Sequence, residues 1–179
     1  VTTQQLGGYT YYNLLMNGGG TKTLAGSATV ANTLTLTSGV IRLGANNLTI
    51  ASANAVAGAP FGITKMIETD GTGQFIRAGN LNNNAFNQTY PVGSNGYYNP
   101  LIVSGLANIG AAARSFSVRA VPSNLGVLTN IINKYWDLLV ANITTNAAMA
   151  LSFAYNAGEV SGDPSKIQLY TNTSGAWLK

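Results

Sequence analysis

The chain has 179 residues, with nine Lys or Arg, five Asp or Glu, a formal charge of +4, 46% apolar side chains, no Cys and no His. That inventory excludes imidazole triads, thiolate nucleophiles, zinc–thiolate sites and disulfides. The basic residues are scattered from Lys22 to Lys179 with no two adjacent, and the apolar runs fall short of about 18 residues, so neither nucleic acid nor a membrane span is expected.

Residues 1–60 read as short β segments at close spacing, in the rhythm of β-solenoid-like coils: 11–16, 22–25, 28–31, 33–37, 40–43 and 47–50. Thr33-Leu34-Thr35-Leu36-Thr37 alternates, which puts both leucines on one face and the three threonines on the other. Leu34-Thr35-Leu36 and Leu48-Thr49-Ile50 repeat one pattern fourteen positions apart, with corners at Ser38-Gly39 and Gly44-Ala45-Asn46-Asn47, as stacked coils require. Residues 61–179 have longer strands and hairpin-type turns at Asp70-Gly71 and Asn95-Gly96, so an antiparallel β-sandwich is expected there. Phe116, Val118 and Ala120 form one apolar face, and Met149, Leu151, Phe153 and Tyr155 another. Segments 106–114 and 129–139 tolerate a helical period but are read as strand or loop, and the Asn-rich 80–87 as an exposed loop. The fold class is therefore all-β.

Chemistry must come from Glu68, Asp70, Asp137, Glu159 and Asp163, or from Tyr and Lys. Glu68 and Asp70, two apart on a strand, would share a face about 6.5 Å apart, overlapping an inverting glycosidase pair. A solvated strand end running into Asp-Gly is the reading taken. Glu159 and Asp163 flank a polar loop and could offer oxygens to calcium, which wants six to eight ligands. An Asp-Pro turn explains them better. Ser165-Lys166 is not spaced as a nucleophile and base, and Gly18-Gly19-Gly20-Thr21-Lys22 lacks the spacing of a phosphate loop. No catalytic, metal-ligating or cofactor-binding residue is assigned. The contact-surface candidates are Thr33, Thr35 and Thr37, a flat hydroxyl-and-methyl row suited to ice or polysaccharide, and Tyr97 and Tyr98, amphipathic rings in a turn-rich context.

Tyr11-Tyr12-Asn13-Leu14, Leu34-Thr35-Leu36-Thr37-Ser38-Gly39 and Asn46-Asn47-Leu48-Thr49-Ile50 resemble the solenoid coils of secreted surface proteins of Bacteroidota, including adhesin-like proteins exported by the type IX system. Thr69-Asp70-Gly71-Thr72-Gly73, Tyr90-Pro91-Val92-Gly93, Tyr98-Asn99-Pro100 and Asn133-Lys134-Tyr135-Trp136-Asp137 resemble the transition into a sandwich and its strands. The resemblance implies an extracellular, non-enzymatic module that builds a fibre or surface layer or serves as a repeat of an adhesin, and it carries no catalytic residues. The family's cargo-sorting C-terminal domain is not seen, and the start at Val1 reads as a processed chain or an excerpt. The expected partners are copies of itself or neighbouring repeats, with surface polysaccharide as the alternative.

Overall fold

The computed structural model describes residues 4–51, 55–79, 87–105, 114–123, 129–142, 149–168, 171–172 and 177–178. They are all-β, with two short 3-10 turns at Ala157–Glu159 and Pro164–Lys166. The chain starts by alternating between two sheets. Strands β1 (Gln4–Leu6), β3 (Thr21–Leu24), β5 (Val40–Arg42) and β7 (Ile67–Glu68) pair in parallel succession, and so do β2 (Thr10–Met16), β4 (Ala28–Leu36), β6 (Leu48–Ile50) and β8 (Phe75–Gly79).

Next come β9 (Thr89–Tyr90), β10 (Val92–Ser94), β11 (Tyr97–Tyr98), β12 (Leu101–Ser104) and β13 (Arg114–Pro122). The chain continues with β14 (Ile131–Ile132), β15 (Lys134–Ala141), β16 (Ala150–Phe153), β17 (Val160–Ser161), β18 (Thr171–Asn172) and β19 (Trp177–Leu178). One six-stranded sheet has the order β1-β3-β5-β7-β10-β11 and the other β15-β13-β8-β6-β4-β2; β16-β12-β9 form a third sheet. Both large sheets are mixed, because β10–β11, β8–β13 and β13–β15 are antiparallel. Each also runs through residue 60, with β5 paired to β7 and β6 to β8.

Strand alternation supplies the core. Leu34, Leu36, Leu48, Ile50, Phe75, Phe116 and Val118 are fully buried from one sheet, and Ile41, Ile67 and Val92 from the other. The parallel register stacks like on like: Ile41 lies opposite Ile67 and Ile67 opposite Val92, while Leu48 lies between Ala28 and Phe75. Tyr90 closes the core between Phe75 and Phe116, with ring centroids 5.9 and 5.2 Å away.

The expected strands are found in 4–50, with 28–31 and 33–37 fused into the nine-residue β4. The fourteen-residue repeat does not hold. Leu48-Thr49-Ile50 stacks on Ala28-Thr29-Val30, twenty residues earlier, while Leu34 and Leu36 lie opposite Leu14 and Met16. Because β4 is long enough to pair with β6 at one end and with β2 along most of its length, two similar triplets occupy different levels of the stack. Asp70-Gly71 is also not a hairpin, since it carries the chain from β7 in one sheet to β8 in the other. Gly71 is required there by close approach: a Cβ would lie 2.3 Å from the Gly44 carbonyl oxygen of the preceding corner. Asn95-Gly96 does close the two-residue β10–β11 hairpin, with φ of 56° and 77° as a type I′ turn demands. Segment 129–139 carries β14 and the first part of β15, with bends at 129–130 and 133, within the expected strand or loop, whereas 106–113 and most of the Asn-rich loop lie outside the described residues.

Leu34 has no exposed surface and packs between β2 and the opposite sheet, so Leu34→Ala should lower the unfolding free energy by about 2–5 kcal/mol. Urea denaturation followed by circular dichroism measures this; a loss below about 1 kcal/mol would mean that the coil interior is loosely packed.

Candidate functional site

The threonine row lies on β4 and just beyond it. Thr33 and Thr35 are half-buried and Thr37 is exposed. A bulge between Tyr11 and Asn13 turns the Asn13 amide over β4, where its oxygen accepts from Thr33 N at 3.2 Å and Asn32 Nδ2 at 2.9 Å. Around it Asn13, Leu14, Leu15, Asn32, Thr33 and Thr35 line an open cavity of about 330 Å³. A second threonine row runs across the strands, Thr10–Thr29–Thr49, in register on β2, β4 and β6. Sequence reading missed it, because it requires the register and not the spacing along one strand.

Tyr97 and Tyr98 lie in the other large sheet, on its edge strand β11, so the structure does not bring the two candidate groups together. Tyr97 is 36% exposed and Tyr98 half-buried, where burial pushes the Tyr98 hydroxyl up to about 12. Their backbone leads straight into the most concentrated polar chemistry of the described residues. Asn99 follows Tyr98 and is fully buried. Lys134, the first residue of β15, and Glu159, the last of the 157–159 turn, point in to meet it with 5% and 4% exposure.

Lys134 Nζ is ion-paired with Glu159 Oε1 and donates to Asn99 Oδ1 at 2.5 Å and to the Ser94 carbonyl at 3.2 Å. Asn99 Nδ2 donates to Glu159 Oε2 at 2.6 Å, completing a ring of three side chains. Asn156 donates to Glu159 Oε2 from its backbone at 3.0 Å and its side chain at 3.2 Å, and the same amide nitrogen reaches Tyr98 O at 3.0 Å. The Tyr97 ring lies 5.5 Å beneath Nζ, and Trp136 Nε1 fixes the Asn99 carbonyl at 3.1 Å. Burial draws the Lys134 ammonium below its ordinary value, although Glu159 beside it opposes the shift. Burial pushes the Glu159 carboxyl up, but Lys134 and the amide donors outweigh it and hold the group below the usual range.

The other carboxylates are engaged by neighbouring side chains and backbone. Arg42 bridges Glu68 and Asp70, its Nη2 2.7 Å from Glu68 Oε2 and its Nε 3.1 Å from Asp70 Oδ2; the solvated strand end expected here is therefore an ion-paired one, with Glu68 buried against the Arg42 cation. Asp163 caps the 164–166 turn, accepting from Ser165 N at 3.0 Å and Oγ at 2.7 Å, while Glu159 faces the interior; the two do not converge on a shared cation position. Among the described residues no three His, Cys, Asp or Glu side chains gather as a metal site. The chain matches no protein-family model, no curated protein and no solved structure.

Removing the Arg42 cation with Arg42→Met should cost about 1–3 kcal/mol, because Glu68 is left charged and buried. Adding Glu68→Gln should recover most of that loss. A double-mutant cycle by denaturant titration checks the coupling, and equal losses in the single and double variants would show that Arg42 does not neutralise Glu68.

Proposed function

We propose that the chain is a non-enzymatic structural module of the bacterial exterior, built as β-solenoid-like coils leading into an antiparallel sandwich. It associates with further copies of itself into a fibre or surface layer, or serves as a repeat of a surface adhesin. The observation that carries this reading is the state of the sheet edges. Among the described residues strand β2 ends its sheet; it has seven residues without a charge and exposes Tyr12 by 72% and Leu15 by 61%. At the opposite edge β15 exposes Leu139 by 58% and Val140 by 41%; its Lys134 is turned inward and its Asp137 is paired with Arg119 at 2.8 Å.

Monomeric proteins protect such edges with free charges, prolines or covering loops. Strand addition from a second copy would extend the sheets from the strands that end them among the described residues and cover their apolar side chains together, and a chain only 8% charged offers little repulsion against it. The resemblance to secreted Bacteroidota surface proteins points the same way and supplies the extracellular setting.

A second reading, contact with polysaccharide or ice, draws on the Asn13–Thr33–Thr35 cavity and the in-register Thr10–Thr29–Thr49 row. Its row repeats at the spacing of neighbouring strands, about 4.8 Å.

Sedimentation velocity over a hundredfold concentration range separates the two readings. The chain should sediment well above 18.6 kDa, and the paired substitution Tyr12→Lys and Leu15→Lys should return it to monomer without loss of β structure. A wild-type chain that stays monomeric throughout and is retarded on a polysaccharide affinity gel would replace self-association with glycan binding.

A further inference from the structure

We propose that Lys134 and Asn99 are joined by an intramolecular isopeptide bond, formed by the chain itself with Glu159 as the catalytic residue. The inference is independent of the surface-protein reading. It rests on the three-membered ring of side chains in the core: an amine, a carboxamide and a carboxylate, each in hydrogen-bond contact with the other two, and each at least nine-tenths buried.

An ion pair needs only an amine and an acid. The third member gives this cluster its chemistry, because Asn99 presents its oxygen to the amine and its nitrogen to the acid. Nζ lies 2.5 Å from Oδ1, so the Cγ carbon one carbonyl bond beyond is no more than about 3.7 Å from the amine, close to the separation of reacting atoms in a near-attack geometry. Glu159 reaches the attacking nitrogen through Oε1 and the departing nitrogen through Oε2, as a proton shuttle between them must. Asn156 holds that carboxylate in place, and Trp136 and Asn133 anchor the neighbouring backbone, with Trp136 Nε1 on Asn99 O and Asn133 N on Glu159 O at 2.7 Å. Burial favours the uncharged amine, the form that can attack.

The reaction balances without an oxidant or a cofactor. Glu159 takes a proton from the Lys134 ammonium, and the freed lone pair attacks Asn99 Cγ to form the new C–N bond. The tetrahedral intermediate passes a second Nζ proton through Glu159 to Nδ2. The Cγ–Nδ2 bond then breaks, the carbonyl re-forms, and nitrogen leaves as ammonium, returning Glu159 to its carboxylate. The product is a secondary amide between β15 and the residue that follows β11, across a sequence separation of 35 residues. It fastens the last strand of one large sheet to the edge strand of the other, in a chain that has no cysteine to do this by disulfide.

The test is mass spectrometry of the full chain after denaturation, followed by a tryptic map. The chain should be lighter than its sequence by one ammonia, cleavage after Lys134 should be lost, and the peptide 78–114 should be recovered covalently joined to 120–166. Lys134→Arg and Glu159→Gln, each checked for native β structure by circular dichroism, should restore the full mass, and Glu159→Gln should restore cleavage after Lys134. A wild-type chain of full mass, or one lighter by ammonia yet still cut after Lys134, would overturn the bond. A Glu159→Gln chain that cross-links as completely as wild type would overturn the role of Glu159.

Discussion

The structure depends on the ladder of main-chain hydrogen bonds that runs from one parallel strand to the next in register. Ile41 N donates to Met66 O and Ile67 N to Pro91 O, at 3.0 and 2.8 Å, while Leu48 N donates to Gln74 O at 3.1 Å. Each rung fixes a side chain over its equivalent, so the isoleucine and valine column of Ile41, Ile67 and Val92 is a consequence of backbone pairing. The corners inherit the same constraint, because stacked strands bring stacked turns into contact. Gly71 must be small against Gly44 for that reason, and Asn46 and Asn47 tie their corner to its neighbours through Leu24 O and Gln74 N, at 3.0 and 2.9 Å.

A ladder of this kind holds each sheet together but does little to lock one sheet against the other; the shared apolar core does that, and buried polar groups add to it. The Thr69 hydroxyl, beside β7, donates to Ala120 O at 3.0 Å and accepts from Ala120 N at 2.9 Å, stitching β13 of the second sheet to the end of the first. Arg119 Nη1 reaches Gly71 O at 2.9 Å a short distance away. The Lys134–Asn99–Glu159 ring closes the same seam further along. Polar groups in such surroundings specify one arrangement when fully satisfied and cost several kcal/mol when one partner is lost. They lie where the strands change from parallel to antiparallel.

The fold class and most strands of 4–50 are legible because alternation is local: Thr33 to Thr37 announces its inner and outer faces within five residues. Register is not legible. Leu34-Thr35-Leu36 and Leu48-Thr49-Ile50 look alike, yet the true partner of the second is Ala28-Thr29-Val30, whose alanine conceals the match. The Asn99 cluster was missed for a related reason, since its members are separated by 35 and 60 residues and none belongs to a familiar motif. One signal was present. Lys134 has the same parity as Trp136 and Leu138, so a strand through 134–141 must turn a lysine toward the apolar side, where it requires an acid. With five carboxylates in the chain the search for that acid is short, and reading Glu159 as part of a polar turn before Pro164 passed over it.

Amide hydrogen exchange on the intact chain tests the central claim, that the ladders of the two large sheets, each running through residue 60, hold both parts of the molecule as one unit. The account predicts that the amides of Ile41, Leu48 and Ile67 exchange together with those of Phe116 and Val118, at the free energy of global unfolding. If the amides within 4–51 exchanged through a separate and easier opening than those of β13, the two parts would be separate units in contact, and the account would be wrong.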